Sequence, residues 1–336
     1  MNKIAKTVLM TGTALCAAGV VLSTAGYFAG GKDFTYTSDH MYVSGGNSSS
    51  RKNLTVMKKE QIDDFSKLNV NFENFDLDIR TSDDDHYYME YRLEKNGRKN
   101  PLTWKDKDGE LTLEESAGGS GSYYITYDLG IFSTHADLTE KKDALNTVVL
   151  YIPEKAQLFE AELQLSDGDL AADQLLCKEM TLELLNGDLM LDKGEFEKFD
   201  AKLSDGDLNV KELQCTDNMQ LKSGNGDVTI KKAELADGQI VLSDGDIQID
   251  NSSFNGDMKI NSSCGDVSVE MKNGSAEKTN IYLKAADGDV DTEGLSRGKT
   301  DNEEDTSVYE NKAGASAPTL NVECSDGDIT LTESEK

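Results

Sequence analysis

Ser-Asp-Gly-Asp followed by an aliphatic residue, or a close variant of it, occurs eight times in this chain. It reads SDGDL at Ser166–Leu170, LNGDL at Leu185–Leu189, SDGDL at Ser204–Leu208 and GNGDV at Gly224–Val228. It continues as SDGDI at Ser243–Ile247, SCGDV at Ser263–Val267, ADGDV at Ala286–Val290 and SDGDI at Ser325–Ile329. The glycines stand at 168, 187, 206, 226, 245, 265, 288 and 327, so the steps are 19, 19, 20, 19, 20, 23 and 39 residues. A period this even implies stacked units, because one repeat of about twenty residues cannot bury an apolar face by itself.

The residues around each glycine say how the units stack. Position +2 is always aliphatic: Leu170, Leu189, Leu208, Val228, Ile247, Val267, Val290 and Ile329. Positions +4 and −5 are apolar with few exceptions, and a further column at +9 holds Cys177, Phe196, Cys215, Leu235 and Phe254. The residues between are mostly polar, so a short strand with one inward face flanks each Gly-Asp corner on either side. Glycine there supplies a positive φ, and a preceding Asp or Asn suits a tight turn. Antiparallel hairpins also turn on Asp-Gly, but they would not need the +9 column. The expected fold is all-β: a β-helix or β-solenoid of 19–20-residue rungs over 153–336.

Upstream of the repeat, 61–152 reads as divergent rungs and hairpins that cap the stack, since an open end would expose apolar core and strand edges. Leu102–Glu115 looks like a hairpin turning at Asp108-Gly109. Tyr123, Tyr124, Tyr127 and Phe132 read as aromatics packing the cap. The longest step, between Gly288 and Gly327, holds the polar, acidic span 294–318, expected to be a flexible loop inserted before the last rung. Residues 32–60, with GGNSSSRKN at 45–53, read as a flexible linker. Ahead of it, residues 1–31 carry an uncharged stretch, Thr7–Gly31, behind Lys3 and Lys6. It is long enough to span a bilayer with the N-terminus inside. A signal peptide cleaved after Ala25 is the alternative. Either exports the rest of the chain.

Charge narrows the partners. The chain has 34 Lys and Arg against 63 Asp and Glu, a net charge of −29, which excludes nucleic acid and disfavours anionic lipid surfaces. Asp169, Asp188, Asp207, Asp227, Asp246, Asp266, Asp289 and Asp328 should form one column, with neighbours about 5 Å apart that repel by roughly 0.8 kcal/mol in water. Two arrangements relieve this: each carboxylate accepts backbone amides at its own turn, or Ca²⁺ neutralises the column. Nine-residue calcium repeats carry a double glycine that is missing here, so the turn reading is preferred and Ca²⁺ on these eight aspartates is the alternative. No other cofactor is expected.

Cys177, Cys215, Cys264 and Cys324 form no CxxC pair and have no histidines nearby, so they read as small buried hydrophobes and not as a zinc site. No catalytic residues stand out. The acids are spread evenly instead of converging on a groove, which makes a polysaccharide-active β-helix enzyme the weaker reading.

TVVLYIP at Thr147–Pro153, then LQLSDGDL at Leu163–Leu170 and the regular Gly-Asp-aliphatic repeats, resembles the bacterial putative-adhesin family, domain of unknown function 4097. The likeness runs from about Phe65 to the C-terminus. It implies a non-catalytic cell-envelope protein with an extracytoplasmic β-solenoid, membrane-anchored through its N-terminal segment or secreted after cleavage. It also implies an envelope or surface macromolecule, protein or polysaccharide, as partner. An accessory, regulatory role in envelope-stress signalling is the implied alternative. The family has no catalytic residues to carry over.

Overall fold

The computed structural model describes residues 34–36, 41–43, 54–117, 145–292, 295, 298–303 and 306–335. They divide into two units. In the first, residues 1–54 with 118–141, Phe34–Tyr36 and Met41–Val43 pair as an antiparallel ribbon. The expected membrane or signal segment and the aromatics at 123–132 lie outside the described residues. Among the described residues no helix is long and apolar enough to cross a membrane. The second unit, residues 55–117 with 142–336, is all-β.

Strands of the second unit pair in parallel, each residue with its counterpart one repeat on. Leu170 faces Leu189, Leu189 faces Leu208, Leu208 faces Val228, Val228 faces Ile247 and Ile247 faces Val267. Within one repeat the buried residues are Ala161, Leu163, Leu165, Leu170, Ala172, Leu175 and Cys177, at −7, −5, −3, +2, +4, +7 and +9. Alternation by two marks a straight run with one face inward. The steps of three from Ala172 to Leu175 and from Cys177 to Met180 reverse the phase, so the chain bends at both places. With the Gly-Asp corner, each repeat has three bends and three inward runs. These runs stack into one apolar cluster extending from Ile62 to Leu331. At about 1.5–3 kcal/mol for each fully buried Leu, Ile or Val, the stacking supplies most of the stability.

The twenty-residue steps come from single added residues at a bend. Phe196 pairs with Cys215 but Lys198 pairs with Asn218, a bulge that takes up one residue of Thr216-Asp217. Leu235 pairs with Phe254 but Gly238 pairs with Met258, so a second extra residue lies between Phe254 and Met258. The inward columns continue undisturbed beyond each.

Spatial order departs from sequence order at both ends. Lys67–Phe72 lies between Glu110–Glu115 and Leu158–Leu165, parallel to both. Asp76–Ser82 lies likewise between Thr147–Pro153 and the start of Leu170–Asn186. The rung that is first in sequence is therefore second in space. At the other end Thr319–Asp326 lies between Met258–Cys264 and Asn280–Ala285. Ile329–Glu333 lies between Val267–Met271 and Val290–Asp291. The rung of Gly327 is the penultimate one, and that of Gly288 is outermost.

This corrects the expectation of a plain loop at 294–318 leading to a last rung. Lys299–Glu303 and Thr306–Asn311 form an antiparallel pair there, and the second also pairs antiparallel with Asn280–Ala285. Ser307, Tyr309 and Asn311 are buried at alternate positions, a strand pattern that the acidic composition of the span hides. The opposite end is finished the same way: Leu102–Lys107 and Tyr87–Glu94 pair antiparallel with Glu110–Glu115 and Thr147–Pro153. The hairpin does turn at Asp108-Gly109, both at positive φ. Leu54–Ile62, whose first residues fall in the span expected as linker, is also a strand and pairs with Tyr87–Glu94.

Candidate functional site

The Gly-Asp corners are the part of the molecule on which the repeat is built. A Cβ at Gly187 would lie closer than 3 Å to the carbonyl oxygen of Gly168, and one at Gly206 equally close to that of Gly187. The series continues through Gly226, Gly245 and Gly265, then Gly327 on Gly265 and Gly288 on Gly327. Gly206 has φ +137, in the region that favours glycine, but Gly187 is not at positive φ. Close approach of one corner to the next, more than a positive φ, is what the glycines share. Gly168 in turn approaches the carbonyl oxygen of Phe75. Phe75 keeps its side chain because the rung beneath it is interrupted between Glu115 and Thr147.

All eight predicted aspartates stand at these corners, and the structure brings them into one ladder. Asp188 N–H donates to Asp169 Oδ1 at 3.0 Å, Asp207 to Asp188 at 2.9 Å, and Asp227 to Asp207 at 2.9 Å. Asp246 donates to Asp227 at 2.9 Å, Asp266 to Asp246 at 2.8 Å, Asp328 to Asp266 at 2.9 Å and Asp289 to Asp328 at 2.8 Å. The main chain bonds in the opposite sense: Leu189 N–H donates to Asp207 O at 2.8 Å, and Leu208 N–H to Asp227 O at 2.8 Å. Seven of the eight carboxylates therefore hold the neighbouring turn's amide, not one at their own turn as expected. A charge-assisted bond of this kind is about twice as strong as a neutral one, which offsets the repulsion along the column.

The column just before the glycines manages its charge differently. In spatial order it reads Asp167, Asn186, Asp205, Asn225, Asp244, Cys264, Asp326 and Asp287. Asn186 Nδ2 donates to Asp167 Oδ1 at 2.7 Å, and Asn225 Nδ2 to Asp205 Oδ1 at 2.5 Å. A neutral amide thus separates successive carboxylates over the first five corners. Only Asp326 and Asp287 meet as like charges.

Several members escaped the sequence reading. Asp76 opens the ladder, its Oδ1 accepting Asp169 N–H at 3.0 Å. Its signal is Asn74-Phe75-Asp76, the repeat phrase with Phe in place of Gly. A shorter ladder runs at another bend: Asp237 Oδ1 accepts Asp257 N–H at 2.7 Å, and Asp257 Oδ1 accepts Thr319 N–H at 2.9 Å. Glu115 closes the interrupted corner, its Oε2 accepting the amides of Glu73 at 2.9 Å and Asn74 at 2.7 Å. Arg98 neutralises it at 2.8 Å, with both side chains nearly sealed from solvent at 7% and 1% exposure.

Seven of the eight predicted aspartates thus commit one oxygen to an amide. Among the described residues, no three His, Cys, Asp or Glu side chains come together as a metal-holding group. Cys177, Cys215 and Cys324 are buried and Cys264 is exposed, all with free thiols. Burial pushes the Cys177 thiol up to about 12 and raises Cys215 and Cys324 as well.

The stack, with the rungs at both of its ends, is also what a family model recognises: residues 65–332, well over half of the chain, match Toastrack DUF4097. The chain belongs to the Toastrack family. No curated protein matches this Toastrack chain. Solved structures do. A putative adhesin from Parabacteroides merdae is 16% identical, with a TM-score of 0.47, covering 86% of this chain and 98% of its own. A putative adhesin from Parabacteroides distasonis is 15% identical, with a TM-score of 0.44, over 84% and 97% of the two chains. A protein described as a putative lipid binding protein, also from Parabacteroides distasonis, is 12% identical, with a TM-score of 0.39, over 84% and 97%.

Proposed function

We propose that this Toastrack protein is a non-catalytic, extracytoplasmic β-solenoid of the bacterial cell envelope that binds a surface macromolecule, protein or polysaccharide, as an adhesin does. The observation that carries this reading is a departure from the repeat at its second corner. Position −2 is small elsewhere (Ser166, Ser204, Gly224, Ser243, Ser263, Ala286, Ser325), but here it is Leu185, 40% exposed. Position +3 is Asn, Thr, Gln, Ser or Asp in the later repeats, but here it is Met190, 43% exposed, with Ala171 beside it in the ladder.

Large apolar side chains at outward positions add nothing to the stacked core, and they suit a contact surface. Asn186 also makes this corner less acidic than its neighbours. The commitment of the ladder carboxylates to backbone amides supports a structural role for the acids over a catalytic one. The apolar N-terminal stretch supports export.

Leu185→Ser with Met190→Asn restores the usual residues of the repeat and should leave the melting temperature unchanged. Binding of the full-length protein to envelope fractions, and adhesion of cells displaying it, should fall. Unchanged binding and adhesion by a folded double variant would overturn the reading. Retained adhesion with a lost envelope-stress response would favour the accessory role instead.

A further inference from the structure

The rung placed out of order at the C-terminal end points to a way in which two copies of this chain can join. We propose that Thr319–Glu333 is a donor segment that exchanges between two copies, each tail filling the other's slot. The slot is bounded on one side by Met258–Cys264 and Val267–Met271, and on the other by Asn280–Ala285 and Val290–Asp291. The tail reaches it only after the chain has laid down the outermost rung, so withdrawing the tail leaves the chain on both sides of the slot connected. Leu320, Val322, Cys324, Ile329 and Leu331 fill the slot, none more than 2% exposed.

The slot is selective for this chain's own phrase. Asp266 Oδ1 requires an amide at the position of Asp328, and Asp289 N–H requires a carboxylate there. A Cβ at Gly327 would press on the Gly265 carbonyl, and Gly288 sits equally close on Gly327. A strand filling the gap must therefore place Gly-Asp in register with aliphatic residues on either side, which the tail of a second copy does.

The hinge between Asn311 and Thr319 is built to open. Lys312, Ala313, Gly314, Ala315 and Ser316 are five consecutive exposed residues. The Asn280 side chain makes four hydrogen bonds to this turn, beside the backbone bonds from Ala317 N–H to Gly314 O at 3.2 Å and from Asn280 N–H to Pro318 O at 2.8 Å. Asn280 Oδ1 accepts the amides of Ala313 at 3.0 Å and Gly314 at 3.2 Å, and its Nδ2 donates to Gly314 O at 2.9 Å and Ala317 O at 3.1 Å. An open groove of about 480 Å³, bordered by Asn280, Tyr282, Glu310, Lys312, Ala315 and Thr319, runs beside the hinge. An exchanged pair keeps every contact of the tail and alters only this hinge, which is why swapping of an identical segment is a low-cost route to a dimer.

The test mixes two full-length chains, both carrying Cys16→Ser and Cys264→Ser so that the remaining native thiols are the buried ones. One also carries Asn261→Cys and the other Glu323→Cys, positions that face each other in the ladder. A disulfide between the chains can form in this register only when one chain's tail occupies the other's slot. The expected result is an interchain disulfide that accumulates on co-incubation. In an Asn280→Ala background it should form at least about tenfold faster, because four hydrogen bonds are removed and the net worth of one already gives roughly that factor. No interchain disulfide in either background, even after the mixed chains are unfolded and refolded together, would overturn the proposal. So would a disulfide whose rate Asn280→Ala leaves unchanged.

Discussion

The amide of Asp328 donates to Asp266 Oδ1 at 2.9 Å although 62 residues separate them. Asp289, much nearer to Asp266 in sequence, stacks beyond Asp328 instead. The aspartate ladder is thus continuous in space while the chain that builds it is not. Every internal corner meets the same chemistry above and below, whichever part of the sequence delivers it.

Asp207 tests what the ladder needs from each carboxylate. Asp207→Ala leaves Asp227 N–H without its acceptor and should cost about 1–3 kcal/mol, read from urea denaturation midpoints. Asp207→Asn keeps an oxygen in the same place and should cost clearly less. Equal losses would mean that charge, and not the acceptor, is what the corner requires.

Calcium provides a second test of the same column. With seven of the eight carboxylates each holding an amide, millimolar Ca²⁺ should leave the melting temperature unchanged. A rise that a chelator reverses would show that the remaining oxygens bind the ion, as the calcium alternative requires.

Arg98 and Glu115 form a sealed ion pair at the interrupted corner, and the Arg98 guanidinium lies 5.4 Å from the centre of the Phe75 ring. Removing one partner strands the other charge. Arg98→Ala should therefore cost about 3–5 kcal/mol in chemical denaturation. A loss below about 1 kcal/mol, the range of an exposed pair, would mean that Glu115 is solvated there.

Alkaline pH should weaken the fold. Burial raises the Cys177 thiol from 9.0 to about 12, and burial with the hydrogen bond to Glu90 raises the Tyr151 hydroxyl from 10.0 to about 12. In both cases the native state keeps a proton that the unfolded chain releases. The stabilisation is complete below about pH 9 and is lost as pH climbs towards 12. Denaturation midpoints should be level up to about pH 9 and fall above it, and a flat profile to pH 11 would contradict the assignment. In a Cys16→Ser chain only Cys264 should react with a thiol reagent while the fold is intact, and all four remaining cysteines once it is unfolded.

Much of this structure was legible in the residues because the corners are chemically demanding. Close backbone stacking admits only glycine at Gly187 or Gly206, so the period survives to be read. The inward columns at −7, −3 and +7 were harder to see. Gly194, Ser223, Gly238, Ser252 and Ser262 stand in them and break the apolar pattern, although Ser223, Ser252 and Ser262 are at most 5% exposed. The order of the end rungs left no trace, because ADGDV at Ala286–Val290 and SDGDI at Ser325–Ile329 fit either place in the ladder. Glu115 and Arg98 were invisible for another reason. Their roles depend on a corner between Glu110–Glu115 and Thr147–Pro153, strands far apart in sequence, and no local pattern marks that separation.

The alternation of Asp167, Asn186, Asp205, Asn225 and Asp244 bears on how such a chain can lengthen. Duplicating one coil would set two aspartates or two asparagines next to each other, losing the amide-to-carboxylate bond or gaining a repulsion. Duplicating a pair of coils preserves both. The length that preserves this column's pairing is therefore two repeats, thirty-eight to thirty-nine residues, from Gly168 to Gly206 and from Gly206 to Gly245, even though the apolar columns recur at half that length.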